Sequence, residues 1–173
     1  MSGGQSALIV EVPEAEAAVG SHRAALDDSA ALGVPAHLTV LVPFVDPARI
    51  DSATLDDLGE LFARFSSFDF TLTRTDWFGN DVLWLGSEDS TPFRVLTEHV
   101  HSAYPDHPPY DGAFDDVVPH LTIAHDVEPE RMRAAERAVA ESLPIRAAAR
   151  SVTLIAQTTR GGRWSELGRF RLA

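Results

Sequence analysis

Two residue types are missing from this 173-residue sequence: it contains no cysteine, and all 14 of its basic residues are arginine rather than lysine. The absence of cysteine excludes disulfides, thiolate nucleophiles and cysteine-ligated zinc. The absence of lysine excludes Schiff-base catalysis, a nucleotidyl-lysine intermediate and a phosphate-loop lysine. Any phosphate would therefore have to be recognised by arginine, histidine, hydroxyl groups or backbone N–H groups.

Long apolar runs are also missing, since none approaches the roughly 20 residues that a helix needs to cross a bilayer. Residues 1–6 lack the positive charge and the apolar stretch of a signal peptide. We therefore expect a cytoplasmic protein that does not bind membranes. Because 45% of its residues are hydrophobic, the chain can bury a core, and we predict one two-lobed domain over residues 1–173.

Positive charge is scarce, and the formal net charge is −12 with a pI of about 4.8. The overall field repels polyanions, which argues against a long groove that follows a phosphate backbone. Only the C-terminal stretch is locally basic, with Arg160, Arg163, Arg169 and Arg171 against Glu166. This stretch could contact one small phosphate-bearing ligand, or it could be a solvated strand with balancing charge.

A short motif is present twice in the sequence. Residues 37–40 and residues 120–123 both read His-Leu-Thr followed by an aliphatic residue. Each copy is followed by an acidic residue, a proline, a variable residue and an arginine, at residues 46–49 and 128–131. Two such copies in equivalent surroundings indicate an internal duplication.

The order of predicted elements repeats as well, as strand, helix, histidine strand, helix and strand. Thr91 is the predicted N-cap of the helix that Pro92 opens, and Pro47 and Pro129 suit the first turns of two further helices. The duplication predicts an α+β fold with two similar lobes, each a sheet with helices outside it, around a cleft. The predicted strands cover residues 7–12, 37–40, 68–73, 82–85, 120–123, 152–157 and 164–172, and a first helix covers residues 13–26.

The duplicated motif would place two histidines and two threonines in that cleft. Side chains alternate along a strand, so His37 and Thr39 share one face, and His120 and Thr122 share another. One imidazole can take a proton from an attacking hydroxyl or water while the other gives a proton to the leaving oxygen. The threonine hydroxyls can donate to the non-bridging phosphate oxygens. The pattern predicts metal-independent cleavage of a phosphodiester without a cofactor.

Other interpretations stay open at this point. A lone histidine on a strand is usually structural, and the pair could also bind a metal together with a carboxylate, although no H-x-H or H-E-x-x-H spacing is present. The cleft could instead bind a nucleotide or a cyclic phosphate without turning it over. Asp115 and Asp116 could orient a ring nitrogen, or they could lie in a solvated turn.

Aromatic residues are candidates for stacking on a base, although packing is an alternative for each of them. We assign Phe44 and Tyr110 as substrate-binding residues together with the two threonines. Tyr110 lies in a loop that leads to the second histidine strand, a place where specificity is often carried. His125 should point away from His120 if that strand is regular. The full set of aromatic candidates is Phe44, Trp77, Tyr110, Phe114 and Trp164.

On these residues the sequence resembles the 2H phosphoesterase superfamily, and within it the 2′-5′ RNA ligase-like (LigT-like) proteins. The resemblance covers nearly the whole chain and rests on the paired H-x-T motifs and on residues 118–124, Val-Pro-His-Leu-Thr-Ile-Ala. It implies that His37 and His120 are the catalytic pair and that Thr39 and Thr122 bind the phosphate. It also implies a duplicated bilobal fold of two mainly antiparallel sheets with outer helices around a central cleft. The implied activity is a cyclic phosphodiesterase for 2′,3′-cyclic or 2′-5′ bonds, with reversible 2′-5′ RNA ligase activity and a place in RNA processing.

One position departs from that pattern. Many RNA ligase-like members carry arginine five residues after the second catalytic histidine, and here the residue is His125. Together with the acidic balance, this departure favours a small nucleotide or a short RNA end over a large RNA. We expect the protein to be a monomer.

Overall fold

The computed structural model describes residues 3–173. The prediction that residues 1–6 are not a signal peptide therefore falls partly outside the described residues, because residues 1 and 2 are not among them. Eight strands, five α-helices and three short 3-10 helices make up the described chain. The strands are β1 (Gln5–Glu11), β2 (His37–Leu41), β3 (Phe68–Phe78), β4 (Val82–Ser87), β5 (Leu121–His125), β6 (Ile145–Ala149), β7 (Ser151–Gln157) and β8 (Ser165–Arg171). The α-helices are α1 (Glu16–Leu26), α2 (Asp28–Ala31), α3 (Ser52–Ala63), α4 (Thr91–Ala103) and α5 (Pro129–Ala140), and the 3-10 helices are Pro13–Ala15, Pro47–Arg49 and Pro109–Gly112.

The strands form two four-stranded sheets that have equivalent topologies. The first sheet has the order β2-β1-β7-β8 and the second has the order β5-β4-β3-β6. Every pair of neighbouring strands is antiparallel. The predicted α+β class and the two mainly antiparallel sheets are therefore confirmed.

Each sheet combines strands from both copies of the sequence repeat. In the first sheet, β1 pairs with β2 of its own copy and with β7 of the second copy. In the second sheet, β4 pairs with β5 of its own copy and with β3 of the first copy. The lobes thus do not coincide with the contiguous repeats that the sequence suggested. Strand β6 was not predicted, because three of its five residues are alanine, which has a low strand propensity.

Two helix starts differ from the predicted ones. Pro47 opens a separate 3-10 helix, and α3 begins only at Ser52, where the Asp51 carboxylate accepts the Thr54 N–H at 2.9 Å and caps the helix. In α4, Thr91 is already the first helical residue rather than the N-cap. Pro129 does open α5 as predicted.

The histidine strands are covered by helices from the opposite copies. Helix α1 packs on β5, and α4 packs on β2, where the Thr97 hydroxyl donates to the Val40 carbonyl at 2.7 Å. Leu38 and Leu121 are fully buried beneath these helices, and burial of each side chain contributes roughly 1.5–3 kcal/mol. One core therefore fixes both histidine strands.

Candidate active site

The two histidine strands present alternate side chains to a shared cavity. On β2, Leu38 and Val40 are buried in the core while His37 and Thr39 are partly exposed, and β5 begins with the same alternation. A cavity of about 350 Å³ is lined by both pairs of polar residues, so the structure brings the four together. The set consists of His37, Thr39, His120 and Thr122.

Each imidazole is held by the carbonyl group two residues before it. The Nδ1 atom of His37 lies 2.8 Å from the Pro35 oxygen, and Nδ1 of His120 lies 2.7 Å from the Val118 oxygen. Because a carbonyl oxygen only accepts, each Nδ1 atom carries a proton and donates it. The Nε2 atom of each neutral ring is then the atom that can accept a proton.

Burial changes the protonation of both rings. The pKa of His37 is lowered from 6.5 to about 4, mainly by burial and to a smaller extent by the charges of Arg23 and His120, while the bond to Pro35 and the charge of Asp27 oppose this effect. Burial also lowers the pKa of His120, against the opposing effect of its bond to Val118. Both rings are therefore mainly neutral at pH 7 until an anion binds and favours the protonated form.

Aromatic side chains surround His120. The Phe78 ring meets it edge-on with a centroid distance of 4.9 Å, and Trp84 lies at 5.9 Å and stacks on Phe78. Phe78 was not predicted from the sequence. The turn residues Gly79 and Asn80 could have signalled it, since Phe78 ends β3 directly before the hairpin turn and the other strand of that hairpin, β4, neighbours β5.

Tyr110 reaches the cavity as the sequence analysis predicted. Burial raises the pKa of the Tyr110 hydroxyl, and the nearby Thr39 hydroxyl opposes this effect. The backbone N–H of Tyr110 donates to the Val42 carbonyl at 2.6 Å. Tyr110 and Asp111 both adopt the left-handed conformation, with φ of 52° and 54°, which costs non-glycine residues roughly 1–3 kcal/mol each. Strain of this kind is commonly found at ligand-contacting loops.

Phe44 lies away from the cavity, which corrects its assignment as a substrate-binding residue. The residue is 4% exposed, and its ring packs edge-on against Tyr104 at 4.9 Å and tilted against His107 at 5.8 Å. The physical reason is that β2 ends at Leu41, so the alternation of the strand does not extend to Phe44. Trp77 is also remote, with its indole N–H donating to Glu136.

The structure places His125 on the cleft side, contrary to the expectation for a regular strand. On β4, Trp84 pairs with Thr122 while the adjacent Leu83 pairs with Ala124, so Ile123 is an extra residue in β5. Such a β-bulge reverses the alternation beyond it. The first copy has the same irregularity, because Val40 is skipped in the pairing of β2 with β1.

A second cavity of about 510 Å³ adjoins the first. The two cavities, named here the first and second compartments, share Tyr110, His120, Thr122 and His125. The polar groups thus lie where two largely apolar compartments meet. The apolar lining of the first compartment is Ala7, Ile9, Val34, Val42, Ile155 and Trp164, and that of the second is Phe78, Val82, Phe114, Val117 and Val118.

Comparison with known proteins identifies the family of this chain. A family model described as the 2′-5′ RNA ligase superfamily matches residues 11–161. The chain belongs to this superfamily. No curated protein sequence matches the chain.

Solved structures of similar fold agree with this assignment. LigT from E. coli in complex with 3′-AMP has a TM-score of 0.62 and 21% identity, with 99% of each chain covered. LigT from E. coli in complex with NADP+ has a TM-score of 0.61 and 20% identity over 98% of each chain. The protein TT0787 of Thermus thermophilus has a TM-score of 0.57 and 21% identity over 97% of each chain. The family model confirms the resemblance to the 2′-5′ RNA ligase superfamily, and the solved structures confirm the LigT-like fold.

The compartments of this superfamily member contain little formal charge. Arginine lines neither compartment within the described part of the chain, whereas Asp27 lines the first and Asp116 the second. Sequence reasoning missed Asp27 and its neighbour Ser29. In the C-terminal stretch, Arg169 pairs with Glu11 at 2.8 Å and with Glu166 at 3.0 Å, which favours the interpretation as a solvated strand with balanced charge.

Residues 3–173 contain neither a metal-binding cluster of side chains nor a membrane-spanning helix. No group of three or more histidine, aspartate and glutamate side chains is arranged there to hold a metal ion. No helix in the same range has the length and apolar character to cross a membrane.

Proposed function

We propose that this protein is a metal-independent phosphodiesterase that acts on 2′,3′-cyclic or 2′-5′ nucleotide phosphodiesters, with His37 and His120 as its acid and base. The observation that carries the proposal is the matched geometry of the two rings. Each donates from Nδ1 to a backbone carbonyl, and both line one cavity. Two imidazoles with free Nε2 atoms are the groups that a paired proton transfer requires.

The proposed reaction needs two proton transfers. One neutral imidazole takes a proton from the attacking hydroxyl or water as the new P–O bond forms. The other imidazole, protonated when the anionic substrate binds, gives its proton to the oxygen of the P–O bond that breaks. Thr39 and Thr122 donate hydrogen bonds to the non-bridging oxygens, where negative charge increases. The reverse sequence joins ends, so the proposed reaction includes reversible 2′-5′ RNA ligase activity.

The shape and charge of the cleft support a small substrate. The polar groups lie between two apolar compartments, so a phosphodiester flanked by a base on one or both sides fits the arrangement. Tyr110, Phe114 and Trp164 offer ring faces or edges for such bases. No arginine of the described chain lines either compartment, and the adjoining cavity that contains Arg94 also contains three acidic side chains, Glu98, Asp115 and Asp116. A polyanionic strand therefore gains little there, and we propose a small nucleotide or short RNA end rather than a large RNA.

Ligands of the similar structures are compatible with this class. The LigT structures from E. coli include complexes with 3′-AMP, ATP and NADP+. Each of these ligands is a nucleotide of modest size. We extend the same class of ligand to this protein, acting as a monomer in the cytoplasm.

The test is hydrolysis of a panel of 2′,3′-cyclic nucleotides and 2′-5′ dinucleotides in the presence of EDTA. We expect His37→Ala and His120→Ala each to lose about 10²–10⁴-fold in rate. His99→Ala is the matched control, because His99 also bonds a backbone carbonyl through Nδ1, at 2.9 Å, but lines neither compartment.

Three outcomes would reject the proposal. Wild-type protein that is no faster than either variant would exclude the paired acid and base. Binding of unaltered ligand without product would identify a non-catalytic nucleotide-binding protein. Loss of activity on chelation, restored by a divalent metal, would identify a metallohydrolase.

A further inference from the structure

An arginine from the preceding helix holds the backbone in front of each histidine. Arg23 of α1 donates to the Val34 carbonyl at 3.1 Å. Arg94 of α4 donates to the Val117 carbonyl, also at 3.1 Å. Each carbonyl belongs to the third residue before the histidine. The same contact therefore occurs at equivalent positions in both copies of the repeat.

The first arginine is buried within a polar cluster. Its Nη2 atom pairs with the Asp27 carboxylate at 3.3 Å and donates to the Ser29 hydroxyl at 3.3 Å. The side chain of Arg23 is only 3% exposed. Asp27 and Ser29 line the first compartment beside His37, so the cluster forms part of the cavity wall.

The second arginine makes the same kinds of contact at a more open position. Arg94 pairs with the Asp116 carboxylate at 2.7 Å, and its Nε atom donates to the Ser90 hydroxyl at 3.3 Å. Its side chain is 37% exposed. One carbonyl, one carboxylate and one serine hydroxyl are thus bound by each guanidinium. Binding three acceptors at once requires the planar fork of arginine, which the single ammonium of lysine cannot reproduce.

The held carbonyls lie next to the ones that orient the rings. Val34 is followed by Pro35, and Val117 is followed by Val118, whose carbonyls accept the Nδ1 protons of the two histidines. Peptide units are planar, so fixing the Val34 or Val117 carbonyl fixes the peptide plane that enters the next residue, and only the φ and ψ angles of Pro35 or Val118 remain to place the acceptor. Loss of the arginine contact would therefore loosen the acceptor that selects the Nδ1-protonated tautomer.

We propose that Arg23 and Arg94 are paired positioning residues that keep His37 and His120 in the tautomer whose Nε2 atoms face the cavity. In this role each arginine acts through the backbone. Arg94 also lines a cavity of about 200 Å³ with Thr39 and His120. The charge of Arg23 adds to burial in lowering the pKa of His37, so the test has to separate positioning from these direct effects. The kinetic consequence rests on the proposed function, whereas the tautomer consequence does not.

The test uses Arg94, because substitution of the buried Arg23 is expected to destabilise the fold. In Arg94→Gln we expect histidine-¹⁵N NMR to show His120 as a mixture of tautomers, while His37 is unchanged. We expect kcat on the best substrate of the panel to fall roughly 10- to 100-fold. A positioning role predicts that KM changes by less than about twofold, whereas a rise in KM would show that Arg94 contacts the substrate in the cavity that it lines with Thr39 and His120.

Two further variants separate positioning from charge and stability. Arg150→Gln is the matched control, since Arg150 contacts the Asp69 carboxylate at 3.6 Å and the Ser67 hydroxyl at 3.4 Å, away from both histidines. It should leave tautomers and kcat unchanged. Arg94→Lys retains the charge without the fork, and we expect it to behave more like Arg94→Gln than like wild type.

The outcomes are distinguishable from those for the proposed function. If the tautomer of His120 and kcat in Arg94→Gln match those of Arg150→Gln, the positioning role is wrong. Wild-type behaviour of Arg94→Lys would overturn the need for a guanidinium fork. If wild type cleaves no substrate but Arg94→Gln alone alters the tautomer of His120, the proposed function fails while the positioning role stands.

Discussion

Acidification should destabilise this protein through the imidazole of His37. Burial lowers the pKa of His37 to about 4 in the folded state, whereas the unfolded chain has the ordinary value of 6.5. Between these two values the unfolded state binds one more proton than the folded state. The free energy of unfolding therefore falls as the pH falls through this window, and the contribution is fully retained above pH 6.5.

The size of the effect follows from the shift. One pKa unit corresponds to about 1.4 kcal/mol, so the complete loss would be about 3 kcal/mol, of which about 2 kcal/mol would be lost by about pH 5. Solvent in the cleft reaches part of the ring, so we expect about 1–2 kcal/mol at that pH. The charged and titratable groups that act on His37 are Arg23, Asp27 and His120.

Urea unfolding of wild type and His37→Gln at about pH 7.5 and about pH 5 measures this contribution. Glutamine does not titrate in this range, so the difference in unfolding free energy between the two proteins isolates His37 from the carboxylates that titrate in both. On acidification from about pH 7.5 to about pH 5, we expect wild type to lose about 1–2 kcal/mol more unfolding free energy than His37→Gln loses. An extra loss below about 0.5 kcal/mol would refute the argument that burial disfavours the protonated ring.

Three further predictions concern activity and packing. Because the pKa of both imidazoles is lowered in the free protein, kcat/KM should peak below pH 6.5 and decline above it, and a flat profile from pH 4 to 9 would contradict paired titration. Thr122→Val should lower kcat roughly 10²-fold or more by removing a donor to the phosphate, while the exposed Thr158→Val should not. Leu121→Ala should cost about 2–5 kcal/mol in chemical denaturation, because Leu121 is fully buried. Leu167→Ala, at a side chain that is 41% exposed, should cost under about 1 kcal/mol, and equal losses would contradict the burial argument.

The face on which each histidine lies was predictable from local sequence. In both motifs a polar residue alternates with an aliphatic one, and Leu38 and Leu121 are drawn into the core. The duplication then predicted that both polar faces meet, because equivalent strands occupy equivalent places in two similar sheets. Tyr110 could be anticipated from its loop, since that loop leads directly to the second motif.

Long-range pairing and strand irregularity were not predictable. The choice of β7 rather than β3 as the neighbour of β1 depends on contacts between distant segments, which local patterns do not encode. The bulge at Ile123 lies in an aliphatic run where both Ile123 and Ala124 are fully buried, and no glycine marks it. One extra residue reversed the predicted direction of His125. Phe44 was misassigned because the strand had already ended.

The duplicated backbone and the unequal surroundings of the two histidines have different consequences. Both rings donate from Nδ1 to a carbonyl two residues earlier, so each can hold or release a proton at Nε2, as a reaction that runs in both directions requires. Charged neighbours act on His37, whereas aromatic rings pack against His120. His120 itself also acts on the pKa of His37, but substitution of Asp27 or of Phe78 alters the surroundings of one ring without changing the backbone that both share. The symmetry of the fold therefore supplies a matched pair, and the side chains around each ring determine which member more readily carries the proton.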